Sequence, residues 1–176
     1  MRSILALVLI ALTFSSCKKE DSIQTFFVEH QERPDYSVVD VSSSLLDLEK
    51  TNLNVEEQEA LDSFDKLHIL LYKATDSTQE AYESELKKIN KVFKNKAYPE
   101  LFVFNDNGTK FKIHTVGEND EVDEILVLAS SNRMGFAAIR VLGDNMDATK
   151  MATLVSKIQN SNANNDKLKG IMNFLQ

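Results

Sequence analysis

The chain reads as an α+β protein: a largely antiparallel sheet ending in a four-strand meander, with helices packed mainly on one face. Three observations carry this. Tyr82, Leu86, Ile89 and Phe93 repeat at i, i+4, i+7 and i+11, which is one buried stripe of a helix. After Phe93 the apolar period changes from 3.6 to 2. Asn107-Gly108 then stands between two alternating stretches, the strongest short-range signal for a tight hairpin.

The elements follow in order. Ser22–Gln31 places Ile23, Phe26, Phe27 and His30 at helical spacing, and Pro34 ends the run. Tyr36–Val41 reads as a short strand. Ser42-Ser43-Ser44 offers hydroxyl caps to a turn of helix through Leu45, Leu46 and Leu48. Asn54, with Glu57 three residues on, predicts a capped helix through Ala60, Leu61 and Phe64. Leu67–Lys73 is short, apolar and partly aromatic, as a central strand is. Asp76-Ser77-Thr78 launches the helix Gln79–Phe93, whose Glu80, Glu83, Glu85, Lys87 and Lys88 are expected in solvent.

Glu100–Phe104, Lys110–Val116, Asp123–Ala129 and Phe136–Leu142 are the four strands of the meander. Their short connections exclude the parallel crossovers of a dinucleotide-binding fold. A helix then carries Ala148, Met151, Leu154, Val155 and Ile158. Gln159–Asp166 is polar, and Lys167–Gln176 predicts a short helix through Leu168, Ile171, Met172 and Leu175. The sequence thus divides into a leader (1–16), a tether (17–21), one α+β domain (22–158) and a polar link with a terminal helix (159–176).

The leader is specific. Arg2 gives a positive start, Ile4–Leu12 is unbroken apolar sequence, and Thr13-Phe14-Ser15-Ser16 relaxes toward Cys17, the chain's one cysteine. At 11 residues, Ile4–Phe14 is well short of the roughly 20 that span a bilayer. An ordinary cleaved signal peptide competes, because Ser16 is small. A cysteine directly after a small pair, with no second cysteine to bond, favours bacterial lipoprotein processing, with acylation at Cys17. The expected location is the outer membrane, anchored by lipid. Lys18-Lys19-Glu20-Asp21 resembles the lysine-then-acidic export tag of surface lipoproteins in Bacteroidetes, so the cell surface and the periplasmic leaflet both stay open.

Composition narrows the partners. Removing residues 1–16 takes away Arg2 alone, so 20 basic side chains become 19 against 27 acidic ones, a formal charge of −8. Nucleic acid is therefore not expected, since phosphate binding leans on concentrated Lys and Arg. Attachment to the bilayer is assigned to the acyl chain and not to the domain surface; an envelope protein or peptide is the other expected partner.

No catalytic, cofactor or metal site is predicted. His30, His68 and His114 have no ligand-like spacing, and no His-Glu-x-x-His pattern occurs. The acidic stretch Glu118–Glu124 lacks calcium-loop spacing, and Asp106-Asn107-Gly108 is explained by a tight turn. Ser42–Ser44 follows a strand without the glycines of a nucleophile elbow, and the five glycines are isolated, which excludes a phosphate-cradling loop. Phe102, Phe104, Phe111 and Phe136 suit either core packing or a ligand groove, with the core preferred. Met146, Met151 and Met172 read as packing residues.

The series Tyr82–Leu86, Glu100-Leu101, Phe111–Ile113, Glu124–Leu128 and Val141–Asp144 resembles the family called domain of unknown function 4252, over about residues 22–158. That family consists largely of small Bacteroidetes lipoproteins without an established activity. The resemblance implies an uncharacterised envelope role and transfers no site residue. The expected function is a non-enzymatic binding module; an envelope hydrolase with a site assembled from dispersed residues, and a structural or stress-related envelope protein, are the alternatives.

Overall fold

The computed structural model describes residues 22–45, 52–117 and 121–160. Ser22 caps helix α1 (Ile23–His30) by accepting from the Thr25 N–H at 3.1 Å. Strand β1 (Tyr36–Ser42) follows and runs into a single 3-10 turn, Ser43–Leu45. The expected continuation through Leu46 and Leu48 lies outside the described residues. Asn54 and Glu57 form a reciprocal capping box on helix α2 (Val55–Asp62), with both hydrogen bonds at 2.8 Å. This helix stops before Phe64, which instead opens strand β2 (Phe64–Lys73). A 3-10 turn at Asp76–Thr78 leads into helix α3 (Gln79–Phe93).

The meander then forms as strands β3 (Glu100–Asp106), β4 (Thr109–Val116), β5 (Val122–Ser131) and β6 (Gly135–Met146). Helix α4 (Ala148–Asn160) follows, so the expected polar link from Gln159 begins instead as helix; the terminal segment 161–176 lies outside the described residues. All pairings are antiparallel, in the order β1-β2-β6-β5-β4-β3. Three register irregularities, at Phe64/Lys66, Glu100/Phe102 and Val122/Glu124, fall at the same end of the sheet.

The helices lie on both faces of the sheet, not mainly on one. On the first face α1 and α3 bury Phe26, Phe27, Tyr82, Ile89 and Phe93 against Leu70, Tyr72, Leu126, Leu128 and Phe136. On the second, α2 and α4 bury Ala60, Met151 and Leu154 against Phe64, Ile125 and Met146. Strand β5 contains the physical reason, because Ile125-Leu126-Val127-Leu128-Ala129 is apolar at both parities. A strand with water on one side alternates; one covered on both sides reads as a continuous apolar run.

One expected solvent group is also inside. Glu85 is buried, and its carboxylate receives the Tyr36 hydroxyl at 2.9 Å, Arg33 Nη1 at 3.2 Å and Lys88 Nζ at 2.8 Å. His30 Nε2 stands 3.5 Å away, while His30 Nδ1 is 2.7 Å from the Phe26 carbonyl. Burial pushes the Glu85 carboxyl up, but the hydrogen bonds from Lys88 and Tyr36, with the charge of Arg33, more than offset this and hold it below its usual value. Its stabilising contribution is therefore present above the ordinary carboxylate range and is lost as pH falls through the folded value. Chemical denaturation across acidic pH should show this slope, and Glu85→Gln should flatten it; an unchanged slope would discard the role.

Two turns depend on glycine. Asn107 and Gly108 have φ of 46° and 82°, as a two-residue type I′ turn requires. Gly135 has φ of 112°, and a Cβ there would lie 1.9 Å from the Tyr72 carbonyl oxygen. A Cβ at Gly108 meets nothing within 4 Å. Gly135→Ala should thus destabilise far more than Gly108→Ala. Ile89→Ala, at a fully buried site, should cost about 2–5 kcal/mol, and Leu86→Ala less because Leu86 is only partly buried. Urea titrations would check the ranking of both pairs.

Candidate interaction surface

Among the described residues strand β3 ends the sheet and pairs on one side only, with β4. All seven of its residues are exposed. Leu101, Phe102, Val103 and Phe104 show 49, 49, 39 and 41% of their surfaces. The other exposed large apolar side chains among the described residues, Val28, Val38, Val55 and Val155, are scattered singly. Such scatter is ordinary, whereas a contiguous run on an edge strand is a docking feature or a liability.

Register explains how the run is displayed. Phe102 pairs with Ile113 and Phe104 with Phe111, which puts both phenylalanines on the face covered elsewhere by α2 and α4. The Phe104 ring stacks on Phe111 at 4.8 Å and on Phe102 at 5.8 Å. Val103 pairs with Lys112 on the opposite face. The four phenylalanines considered together in the sequence therefore separate: Phe136 is 1% exposed in the core, while Phe102 and Phe104 form an open aromatic ladder with Phe111. The preference for a core role fails for Phe102 and Phe104, because none of the described helices covers the edge strand.

The edge is only partly guarded. Pro99 and the irregularity between Glu100 and Phe102 disrupt its start, and acidic residues stand at both ends, Glu100 and Asp106. Between them no charge interrupts Leu101–Phe104.

The three histidines are dispersed, as their spacing suggests. His114 and His68 lie on one cross-sheet row, but Leu126 and Arg140 stand between them. Three strand spacings of about 4.8 Å separate them. His114 Nδ1 donates to the Tyr98 carbonyl at 2.9 Å, and its ring meets Phe93 edge-on. His68 Nδ1 is 3.8 Å from Asp40, and beside it Arg140 pairs with Glu124 at 2.5 Å beneath the Phe27 ring. The Nε2 atoms of His68 and His114 are buried without a hydrogen-bond partner, so neither is aligned on a hydroxyl.

Among the described residues no group of three or more His, Cys, Asp or Glu is placed to hold a metal ion. Glu124 of the acidic stretch is committed to Arg140, and residues 118–120 lie outside the described set. Ser42 and Ser44 bond to each other through their hydroxyls at 2.8 Å. Cys17 lies outside the described residues. No described helix is long and apolar enough to cross a membrane.

The family described as Domain of unknown function (DUF4252) matches residues 29–154. The chain belongs to this family. No curated protein and no solved structure shows significant similarity to it. The matched span runs from the end of α1 into α4, so the whole six-stranded sheet and most of its helical cover lie within it. DUF4252 membership assigns no activity.

Burial lowers the His68 pKa from its usual value, with Asp40 opposing and Lys66 and Arg140 reinforcing the shift. The neutral imidazole is thus favoured in the folded state. Its contribution to stability is complete above about pH 6.5 and is lost as pH falls from there through the lowered folded value. Stability measured between neutral and mildly acid pH should fall for the wild type, and His68→Gln should reduce that fall.

Proposed function

We propose that this DUF4252 protein is a lipid-anchored, non-enzymatic interaction module of the bacterial envelope, acylated at Cys17 and working through the open edge of β3. The single observation that supports this most is the run of four exposed apolar residues on an unpaired edge. Such an edge offers main-chain hydrogen bonds for affinity and alternating side chains for specificity. The leader and Cys17 support outer-membrane anchoring, and Lys18–Asp21 supports display at the cell surface. The hydrolase alternative has less behind it: Asp40 and His68 are neighbours, but the buried His68 Nε2 has no hydrogen-bond partner among the described residues.

Cys17→Ser should abolish acyl labelling and shift the protein out of the membrane fraction; retention of both label and location would sink the anchoring. Protease treatment of intact cells should remove the domain if it faces outward. A photo-crosslinking residue at position 103 should give adducts with envelope components, and a Phe102→Glu, Phe104→Glu double variant should lose them while keeping its thermal stability. Adducts indifferent to the double substitution would refute the assignment of β3.

A further inference from the structure

We propose that β3 and the lysines around it rest on the anionic headgroup surface of the bilayer to which the chain is tethered. This depends on the lipid anchor and the β3 surface proposed above, and names the occupant of that surface. The first observation is where the tether enters. The Ile23 N–H donates to the Tyr98 hydroxyl at 3.0 Å, so the start of α1 is fixed beside the residue that precedes Pro99 and β3. Residues 18–22 span at most about 17 Å when extended, and the seven residues of β3 run about 23 Å. The edge strand therefore begins close to the start of α1 and extends over a distance comparable with the reach of five extended residues.

Charge supplies the second observation. Residues 94–112 contain Lys94, Lys96, Lys110 and Lys112 against Glu100 and Asp106, a local excess of two positive charges on a mature chain carrying −8. Lys94, Lys96 and Lys110 are exposed, and Lys112 points to the same side as Val103 and hydrogen-bonds Asn90. Burial lowers the Lys112 pKa, and Lys110 and Lys94 lower it further, which places these three cations within one another's field. Lys110 and Lys112 lie on the Val103 face and the phenylalanines on the other, so an edge-on approach brings both sets to one interface: the apolar side chains enter the headgroup boundary and the lysines meet lipid phosphates. The overall acidity argues against general adsorption, so the orientation must be set by this one patch.

The chain has no tryptophan, which permits a unique probe. Acylated mature protein carrying Phe102→Trp would be reconstituted into vesicles of phosphatidylethanolamine and phosphatidylglycerol. The expected result is blue-shifted emission quenched by lipids brominated on their tails. Val38→Trp, on the opposite edge strand, should emit as in water. Adding Lys94→Glu and Lys110→Glu to the Phe102→Trp chain should relieve the quenching; quenching that survives both reversals overturns the anionic contact. Vesicle flotation reads the anchor separately. A chain that floats while its introduced tryptophan emits as in water overturns the surface assignment and leaves the anchor standing. A chain that fails to float removes the anchor and this inference with it. Protection of the 101–104 amides only after solubilised envelope proteins are added would make the occupant a protein and overturn the lipid assignment.

Discussion

The helical layer on one face of the sheet hangs on a buried carboxylate. Glu85 projects from the middle of α3 into the seam where α1, the turn after it and β1 converge, and each contributes a partner: His30, Arg33 and Tyr36. A buried acid without partners is costly, so α3 can settle only where those groups are within reach. Apolar packing alone is more permissive, because Tyr82, Ile89 and Phe93 would tolerate sliding along a smooth surface. The ion and hydrogen-bond set selects one position. Tyr36 links it to the aromatic core, its ring meeting Tyr72 and Phe136 edge-on at 5.1 and 6.1 Å. Polar specification and apolar burial therefore share a residue, and a shift of either helix would disturb both.

Local chemistry was the legible part of the sequence. The cap at Asn54, the stripe of α3 and the Asn107-Gly108 turn are written in neighbouring residues, and each forms as its pattern implies. What depended on distant partners was harder to read. Glu85 looks like one more acid on a charged helix, and only Arg33 and Tyr36, some fifty positions away, make a buried site of it. Phe102 and Phe104 have the alternation of core residues, yet their exposure follows from strand order, which local sequence does not encode. The two-sided cover did leave a trace in the apolar run of β5.

The polar row across the first face helps explain why ionisable residues need not imply catalysis. Asp40, His68 and Arg140 share a rung, and Glu124 closes the row by pairing with Arg140. Arg140 also lies under Phe27, 5.6 Å from the ring centre. Placing charge beneath a helix limits which side chains that helix can set down there, and a phenylalanine over a guanidinium is one stable answer. The row distinguishes this part of the interface from the wholly apolar part beneath Tyr82 and Phe136. It therefore serves as an address for α1 on the sheet, complementary to the carboxylate of α3.

The strand order also imposes a schedule on the growing chain. Strand β2 is interior, but the neighbour that completes it is β6, and Ile69 meets Ile139 across seventy positions. Until β6 is available, β2 can pair only with β1, leaving the apolar Leu67–Tyr72 stretch with an open side while β3, β4 and β5 are still being delivered. Long-range closure of this kind slows folding and prolongs the interval in which strands can pair wrongly. The native sheet's final strand thus closes its earliest vulnerability, and a chain interrupted before Gly135 would retain the sticky β1–β2 pair without the strand that silences it.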